Sequence, residues 1–94
     1  MIYWRGVHKL NEEMGEVLQI TGKLGPFPNG HHPDGKGHLL LRLEEELADL
    51  QAAIDYLVEN SEINPARMLV RKHEKLEKFR QWGLTGYCDC EEQK

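Results

Sequence analysis

The sequence predicts an all-α protein. Three stretches repeat apolar residues at three- and four-residue steps, which is the spacing of one helix face, and Gly- and Pro-rich segments separate the first two. No stretch carries the alternation that is typical of a strand. At 94 residues the chain has the size of one small domain. Because so short a chain buries only a modest core, we expect a bundle of three main helices that is completed by oligomerisation.

The first helix is predicted from Gly6 to Leu24. Its apolar face consists of residues at helical spacing: Val7, Leu10, Met14, Val17, Leu18 and Thr21. A run of Gly and Pro then ends it. The following segment, residues 25–37, reads GPFPNGHHPDGKG and contains the turn dipeptides Asn29-Gly30 and Asp34-Gly35. A loop of this length is usually functional or mobile.

The second helix is predicted from His38 to Asn60. Its apolar stripe is formed by Leu39, Leu43, Leu47, Leu50, Ile54 and Leu57. Glu46 and Asp49 lie on the border of that stripe. Metal ligands in helical bundles need this placement, turned towards a partner helix and reachable from a cleft.

The third helix is predicted to begin at Asn64-Pro65, an N-cap followed by proline at the first helical position, and to end at Gly83. Its apolar face is formed by Met68, Leu69, Leu76, Phe79 and Trp82. Its polar face is basic, with Arg67, Arg71, Lys72, Lys75, Lys78 and Arg80. We therefore assign residues 1–83 to one helical domain. The remaining segment, 84–94, shows no periodicity and is expected to be a partly disordered tail.

Four carboxylates are predicted to meet where the first two helices pack. Glu13 precedes Glu16 by three residues, and Glu46 precedes Asp49 by three, so each pair lies on one helix surface. Like charges held this close repel unless a cation lies between them. Hard oxygen ligands suit Mg²⁺ or Mn²⁺ better than Zn²⁺. The sequence therefore predicts a divalent metal site.

The composition limits the partners and the compartment. A net charge of −4 argues against binding a nucleic acid polymer by long-range attraction. No apolar run approaches the length that a membrane span requires. The two cysteines, Cys88 and Cys90, are too close together to staple a secreted fold, and without the second ligand pair that zinc requires they do not predict a zinc site. We expect a cytoplasmic protein that does not associate with a membrane.

The two acidic motifs carry a resemblance to a known family. Glu12-Glu13-Met14-Gly15-Glu16 followed by Glu46-Leu47-Ala48-Asp49 resembles the EExxE…ExxD signature of the MazG-like all-α nucleoside triphosphate pyrophosphohydrolases. The resemblance covers roughly residues 7–57. It implies a homodimer or homotetramer that cleaves (d)NTPs between the α and β phosphates with Mg²⁺, or Mn²⁺ as a substitute, giving (d)NMP and pyrophosphate.

The resemblance also implies roles for individual residues. The metal ligands would be Glu13, Glu16, Glu46 and Asp49. Glu12 would orient water beside the metal. Apart from the resemblance, the loop and the basic face of the third helix supply candidate phosphate contacts, with a solvated surface as the alternative: Lys36, His38, Arg71, Lys72 and Lys75.

Three alternatives stay open from the sequence. A phosphoribosyl-ATP pyrophosphohydrolase shares a similar carboxylate pattern. A non-catalytic helical interaction module could keep the cluster as a structural cation site. The acidic motifs could also be solvated helix faces, with Lys9 paired to Glu13 and Arg42 paired to Glu46 four residues apart.

Overall fold

The computed structural model describes residues 4–84, and within that range every regular element is a helix and none is a strand. The helices are α1 (Val7–Leu24), α2 (Leu39–Glu59) and α3 (Pro65–Leu84). The predicted all-α class is confirmed. The chain divides into two compact units, one ending at Glu62 and the other beginning at Ile63. Of the predicted tail, residues 84–94, Leu84 belongs to α3, and residues 85–94, which include both cysteines, lie outside the described residues.

Helices α1 and α2 form an antiparallel hairpin. The start of α1 meets the end of α2, because a Cβ on Gly6 would lie 2.9 Å from Cδ2 of Tyr56. At the other end, Asp34 of the connecting loop is ion-paired both to Lys23 in the last turn of α1 and to Arg42 near the start of α2, at 3.2 Å each. Gly6 is required here twice over, since its φ is +100° and its neighbours leave no room for a side chain.

The two helices pack along a seam of buried and half-buried residues. On α1 the seam consists of Leu10, Glu13, Val17, Ile20 and Leu24, and on α2 of Leu39, Leu43, Glu46, Leu50, Ala53 and Leu57. The steps alternate between three and four residues, as in a coiled coil. Two of these positions hold glutamates, where a coiled coil would place apolar residues.

This seam corrects the apolar faces that the sequence predicts. Met14, Leu18 and Thr21 of α1 and Leu47 of α2 are exposed, and Leu18 is 71% exposed. Conversely, Ile20 and Ala53 are buried, although neither belongs to the predicted stripes. The physical reason is that counting apolar residues shifts each stripe away from the glutamates and onto the leucines beside them.

The hairpin has two flanks of different character. Residues that directly follow a seam position lie on one flank and residues that directly precede one lie on the other, because each residue turns the helix by about 100°. In an antiparallel pair the matching flanks of the two helices lie on the same side. One flank carries the exposed Met14, Leu18, Leu40 and Leu47. The opposite flank, called the polar flank below, carries Lys9, Glu12, Glu16, Glu45, Asp49 and Tyr56.

The loop between α1 and α2 is folded on itself. The N–H of Gly30 donates to the carbonyl of Phe27 at 2.9 Å, and the N–H of Leu39 donates to the carbonyl of Gly30 at 2.8 Å. The imidazole of His38 fills the space beside Gly30, which has φ +86° and no room for a Cβ. His38 also caps α2, since its Nδ1 accepts the N–H of Leu40 at 3.0 Å.

Helix α3 begins as predicted. The Asn64 side chain accepts the N–H of Ala66 at 2.9 Å and that of Arg67 at 3.2 Å, and Pro65 is the first helical residue. The helix continues one residue past its predicted end at Gly83, to Leu84, because Gly83 does not adopt the left-handed conformation that ends a helix. Within residues 4–84, no helix is long and apolar enough to cross a membrane.

Candidate metal centre

Three carboxylates meet at the middle of the α1–α2 seam. Glu13, Glu46 and Asp49 each place one oxygen so that all three oxygens lie within 4.8 Å of one another. Glu13 and Glu46 are half-buried seam residues on facing helices, and Asp49 lies one turn beyond Glu46, exposed on the polar flank. The convergence that the sequence predicts for these three residues is therefore present in the structure.

Glu16 is placed differently from the other three. It is exposed, one turn beyond Glu13 on α1, and it is outside the group of converging oxygens. Its charge nevertheless acts on the cluster, since it contributes to raising the pKa of Glu46. The structure thus brings together three of the four predicted ligands and places the fourth within electrostatic reach. A ligand role for Glu16 stays a prediction.

One oxygen of Glu13 is buried and has no partner. Its Oε2 atom is inaccessible to solvent and makes no hydrogen bond with any described residue. A buried acceptor without a partner typically costs about 1–3 kcal/mol, and more when it is charged. A cation held between Glu13, Glu46 and Asp49 would satisfy this atom.

The charged form of the Glu46 carboxyl group is also disfavoured. Burial raises the pKa of its carboxyl group above the ordinary value of 4.5, and the charges of Glu16, Asp49, Glu13 and Glu45 raise it further. The neighbouring carboxylates therefore oppose the ionisation of Glu46. A divalent cation bound between them would reverse the sign of that interaction.

The cationic side chains nearest in sequence are engaged elsewhere. Lys9 pairs with Glu12 at 3.3 Å rather than with Glu13, and Arg42 pairs with Asp34 at 3.2 Å rather than with Glu46. The pairings expected for solvated helix faces are therefore wrong. Glu12 lies on the polar flank. Its part in orienting water stays a prediction.

An open cleft of about 550 Å³ begins at the cluster and runs towards the start of α1. It is lined by Lys9, Glu13, Asp49, Ala52, Ala53 and Tyr56. Sequence reasoning missed Lys9 and Tyr56 as site residues. The signal was present, because Lys9 lies one turn before Glu13 and Tyr56 lies two turns after Asp49 on the same flank.

The other predicted substrate contacts lie away from this cleft or in the second unit. His38 and Lys36 belong to the loop end of the hairpin. On α3, Arg71 lies 3.8 Å from Glu74, Lys75 lies 6.0 Å from the centre of the Phe79 ring, and Lys72 is exposed. Phosphate contacts by these five residues stay predictions.

The donor set is suited to a hard divalent cation. Carboxylate oxygens are the ligands that Mg²⁺ and Mn²⁺ prefer, and the exposed side of the cluster leaves space for water and phosphate oxygens. Comparison with family models, with curated proteins and with solved structures gives no match to this chain. The geometry of the cluster and its cleft is therefore the basis for assigning a function.

Proposed function

We propose that this protein is a Mg²⁺-dependent nucleotide pyrophosphohydrolase of the MazG-like kind, which hydrolyses (d)NTPs to (d)NMP and pyrophosphate. One observation carries the proposal. The EExxE and ExxD segments, far apart in sequence, place Glu13, Glu46 and Asp49 within 4.8 Å of one another beside an open cleft. Clusters of this composition suit a cation that is shared between protein and phosphate oxygens.

In this proposal each carboxylate has a distinct part. Glu13 and Glu46 hold the cation from facing helices, and Asp49 completes the set of protein ligands from the polar flank. Bound Mg²⁺ would offset the charge of the phosphates and acidify a water molecule for attack on the α phosphorus. Glu16 adds negative charge that strengthens cation binding, and Glu12 orients water at the edge of the site.

The assembly and the compartment belong to the same proposal. The flank formed by Met14, Leu18, Leu40 and Leu47 exposes large apolar side chains that a monomer rarely leaves uncovered as a patch. This supports a homodimer or homotetramer. The nucleotide substrate is a cytoplasmic metabolite, so we place the protein in the cytoplasm.

A second candidate is a structural cation site in a non-catalytic helical module. Glu13 and Glu46 lie in the seam itself, so a cation between them would clip α1 to α2 whether or not any reaction follows. This candidate predicts cation binding and stabilisation without turnover.

Product analysis separates the candidates. Purified protein is incubated with Mg²⁺ and a panel of NTPs, dNTPs and phosphoribosyl-ATP, and the products are resolved by chromatography. We expect monophosphate and pyrophosphate, abolished by EDTA and by Asp49→Asn, and retained by Glu44→Gln, a matched change of an exposed acid on the same helix. Turnover of phosphoribosyl-ATP alone would assign the alternative pyrophosphohydrolase, and cation binding with no turnover would assign the structural site.

A further inference from the structure

The cleft beside the metal centre changes in chemistry along its length. At one end are the carboxylates of Glu13 and Asp49, in the middle the small side chains of Ala52 and Ala53, and at the far end the ring of Tyr56. Asp49 and Tyr56 are two helical turns apart, about 10 Å along the axis. A nucleotide has a comparable length between its phosphates and its base.

The ring of Tyr56 lies against Gly6, the residue that precedes the first turn of α1. Gly6 approaches it so closely that a Cβ would lie 2.9 Å from Cδ2 and 3.4 Å from Cε2. The edge of the ring therefore packs against backbone, while Tyr56 remains 45% exposed. An aromatic ring that is fixed on one edge and exposed elsewhere can receive another planar group at little entropic cost.

The cleft also contains a cation that its present partner binds weakly. Lys9 pairs with Glu12 at 3.3 Å, but both side chains are at least half exposed. Exposed pairs of this kind contribute little to stability. The ammonium group of Lys9 is therefore available to a phosphate that enters the cleft.

We propose that this cleft binds the nucleoside end of the substrate, with the base stacked on Tyr56, the phosphates at the metal centre and Lys9 on the phosphate chain. The inference rests on the proposed function and adds the residues that contact the base and the phosphate chain. Stacking uses the face that every base has, so it discriminates weakly between bases. The site accordingly selects nucleotides over inorganic polyphosphates and accepts several bases.

Binding measurements test this without any turnover. Calorimetry in Mg²⁺ compares α,β-methylene-ATP, whose bridging carbon blocks cleavage, with tripolyphosphate, which has no base. In the wild type the nucleotide analogue binds more tightly. Tyr56→Leu weakens binding of the analogue about 10-fold or more, as loss of one stacked base predicts, and leaves tripolyphosphate within twofold. Tyr56→Phe retains both affinities.

The lysine is tested by a matched pair of variants. Lys9→Gln weakens the nucleotide analogue and tripolyphosphate alike, because the lysine contacts phosphate, whereas Lys78→Gln, a matched change of an exposed lysine on α3 that does not line the cleft, leaves both unchanged. A second readout needs no variant. In the wild-type complex, nuclear Overhauser contacts join protons of the adenine base to ring protons of Tyr56.

The outcomes distinguish this inference from the proposed function. If the wild type binds neither ligand with Mg²⁺, the proposed function is itself wrong. If both bind, Asp49→Asn abolishes binding, and Tyr56→Leu changes neither affinity, the metal site stands and the base subsite is overturned. Absence of contacts between adenine and Tyr56 in the bound complex would overturn it as well.

Discussion

The hairpin contains two clusters of charge that follow opposite rules. Asp34 is a single carboxylate surrounded by partners, since it accepts hydrogen bonds from Lys23, Arg42 and the N–H of Lys36. The cluster of Glu13, Glu46 and Asp49 gathers three carboxylates and makes no ion pair within the described part of the chain.

The pKa values of Asp34 and Glu46 are shifted in opposite directions. Partial desolvation acts to raise the pKa of Asp34, yet its hydrogen bonds to Lys36, Lys23, Arg42 and His32 outweigh that effect and hold the pKa well below the ordinary value. For Glu46, burial and four neighbouring carboxylates all raise the pKa. The comparison shows that this chain can surround a carboxylate with its own cations at Asp34, whereas the cluster of Glu13, Glu46 and Asp49 has no such partners among the described residues, which is what the proposed cation site requires.

The largest expected effect separates the ligands from their neighbours. Glu13→Gln, Glu46→Gln and Asp49→Asn each remove a converging oxygen charge, and we expect Mg²⁺-dependent kcat/KM to fall at least 100-fold. Glu16→Gln removes a charge that acts without converging, and we expect a smaller loss of about 10-fold, the lower end of the range for residues that support a ligand. Steady-state kinetics across the series measures this. Equal losses for Glu16 and Glu13 would restore the four-ligand site.

The next effect is stabilisation by the cation. At 100 times its dissociation constant a ligand stabilises the folded state by about 2.7 kcal/mol, which raises the Tm of a domain of this size by roughly 10–20 °C. We expect Mg²⁺ to do so in the wild type and in Asp34→Asn, and not in Asp49→Asn. Thermal denaturation followed by circular dichroism provides the values. A similar rise in Asp49→Asn would place the cation elsewhere.

Smaller changes of opposite sign are expected when the two clusters are neutralised without metal. Asp34→Asn removes the charge that Lys23 and Arg42 share, so its Tm falls by several degrees. Glu46→Gln relieves repulsion in the seam, so its Tm rises by a few degrees. Both are measured in EDTA at pH 7 against Glu44→Gln, which should leave the Tm unchanged. A lower Tm for Glu46→Gln would show that the cluster is not strained.

The smallest effect is the pH dependence of these differences. In the folded protein the pKa of Asp34 lies below its ordinary 3.8. Its stabilising contribution to the free energy of unfolding is therefore present above pH 3.8 and is lost as the pH falls through the folded pKa. In the folded protein the pKa of Glu46 lies above its ordinary 4.5. Its stabilising contribution to the free energy of unfolding is therefore present below pH 4.5 and is lost as the pH rises through the folded pKa.

Denaturation scans in EDTA make this visible. The Tm advantage of Glu46→Gln over the wild type should grow from pH 4.5 upwards, and the Tm deficit of Asp34→Asn should shrink below pH 3.8. Parallel profiles for all three proteins would contradict both assignments.

Much of this architecture could be predicted from the sequence. The starts of all three helices follow from the spacing of apolar residues and from local signals, such as the Asn64 cap and the turn residues of the loop. The meeting of Glu13 with Glu46 and Asp49 follows once two amphipathic helices are assumed to pack antiparallel, because their acids lie at corresponding heights.

The rest depends on contacts that no local pattern encodes. A count of apolar residues does not detect a seam that contains glutamates, and such a count therefore places Leu47 and Leu18 on the packed faces of their helices. The engagement of Arg42 by Asp34 depends on how the loop folds back. The place of Tyr56 depends on Gly6, which is distant in sequence and adjacent in space.

The position of the glutamates in the seam has a consequence for how the protein folds. Glu13 and Glu46 stand far apart along the chain, and they can meet only when the long loop between them closes. Their mutual repulsion thus opposes the docking of α1 on α2 while the chain is still finding its native state. Cations that offset this repulsion would speed refolding as well as slow unfolding. A cation site in the seam would thereby tie the rate at which the hairpin closes to the divalent ions of the surrounding solution.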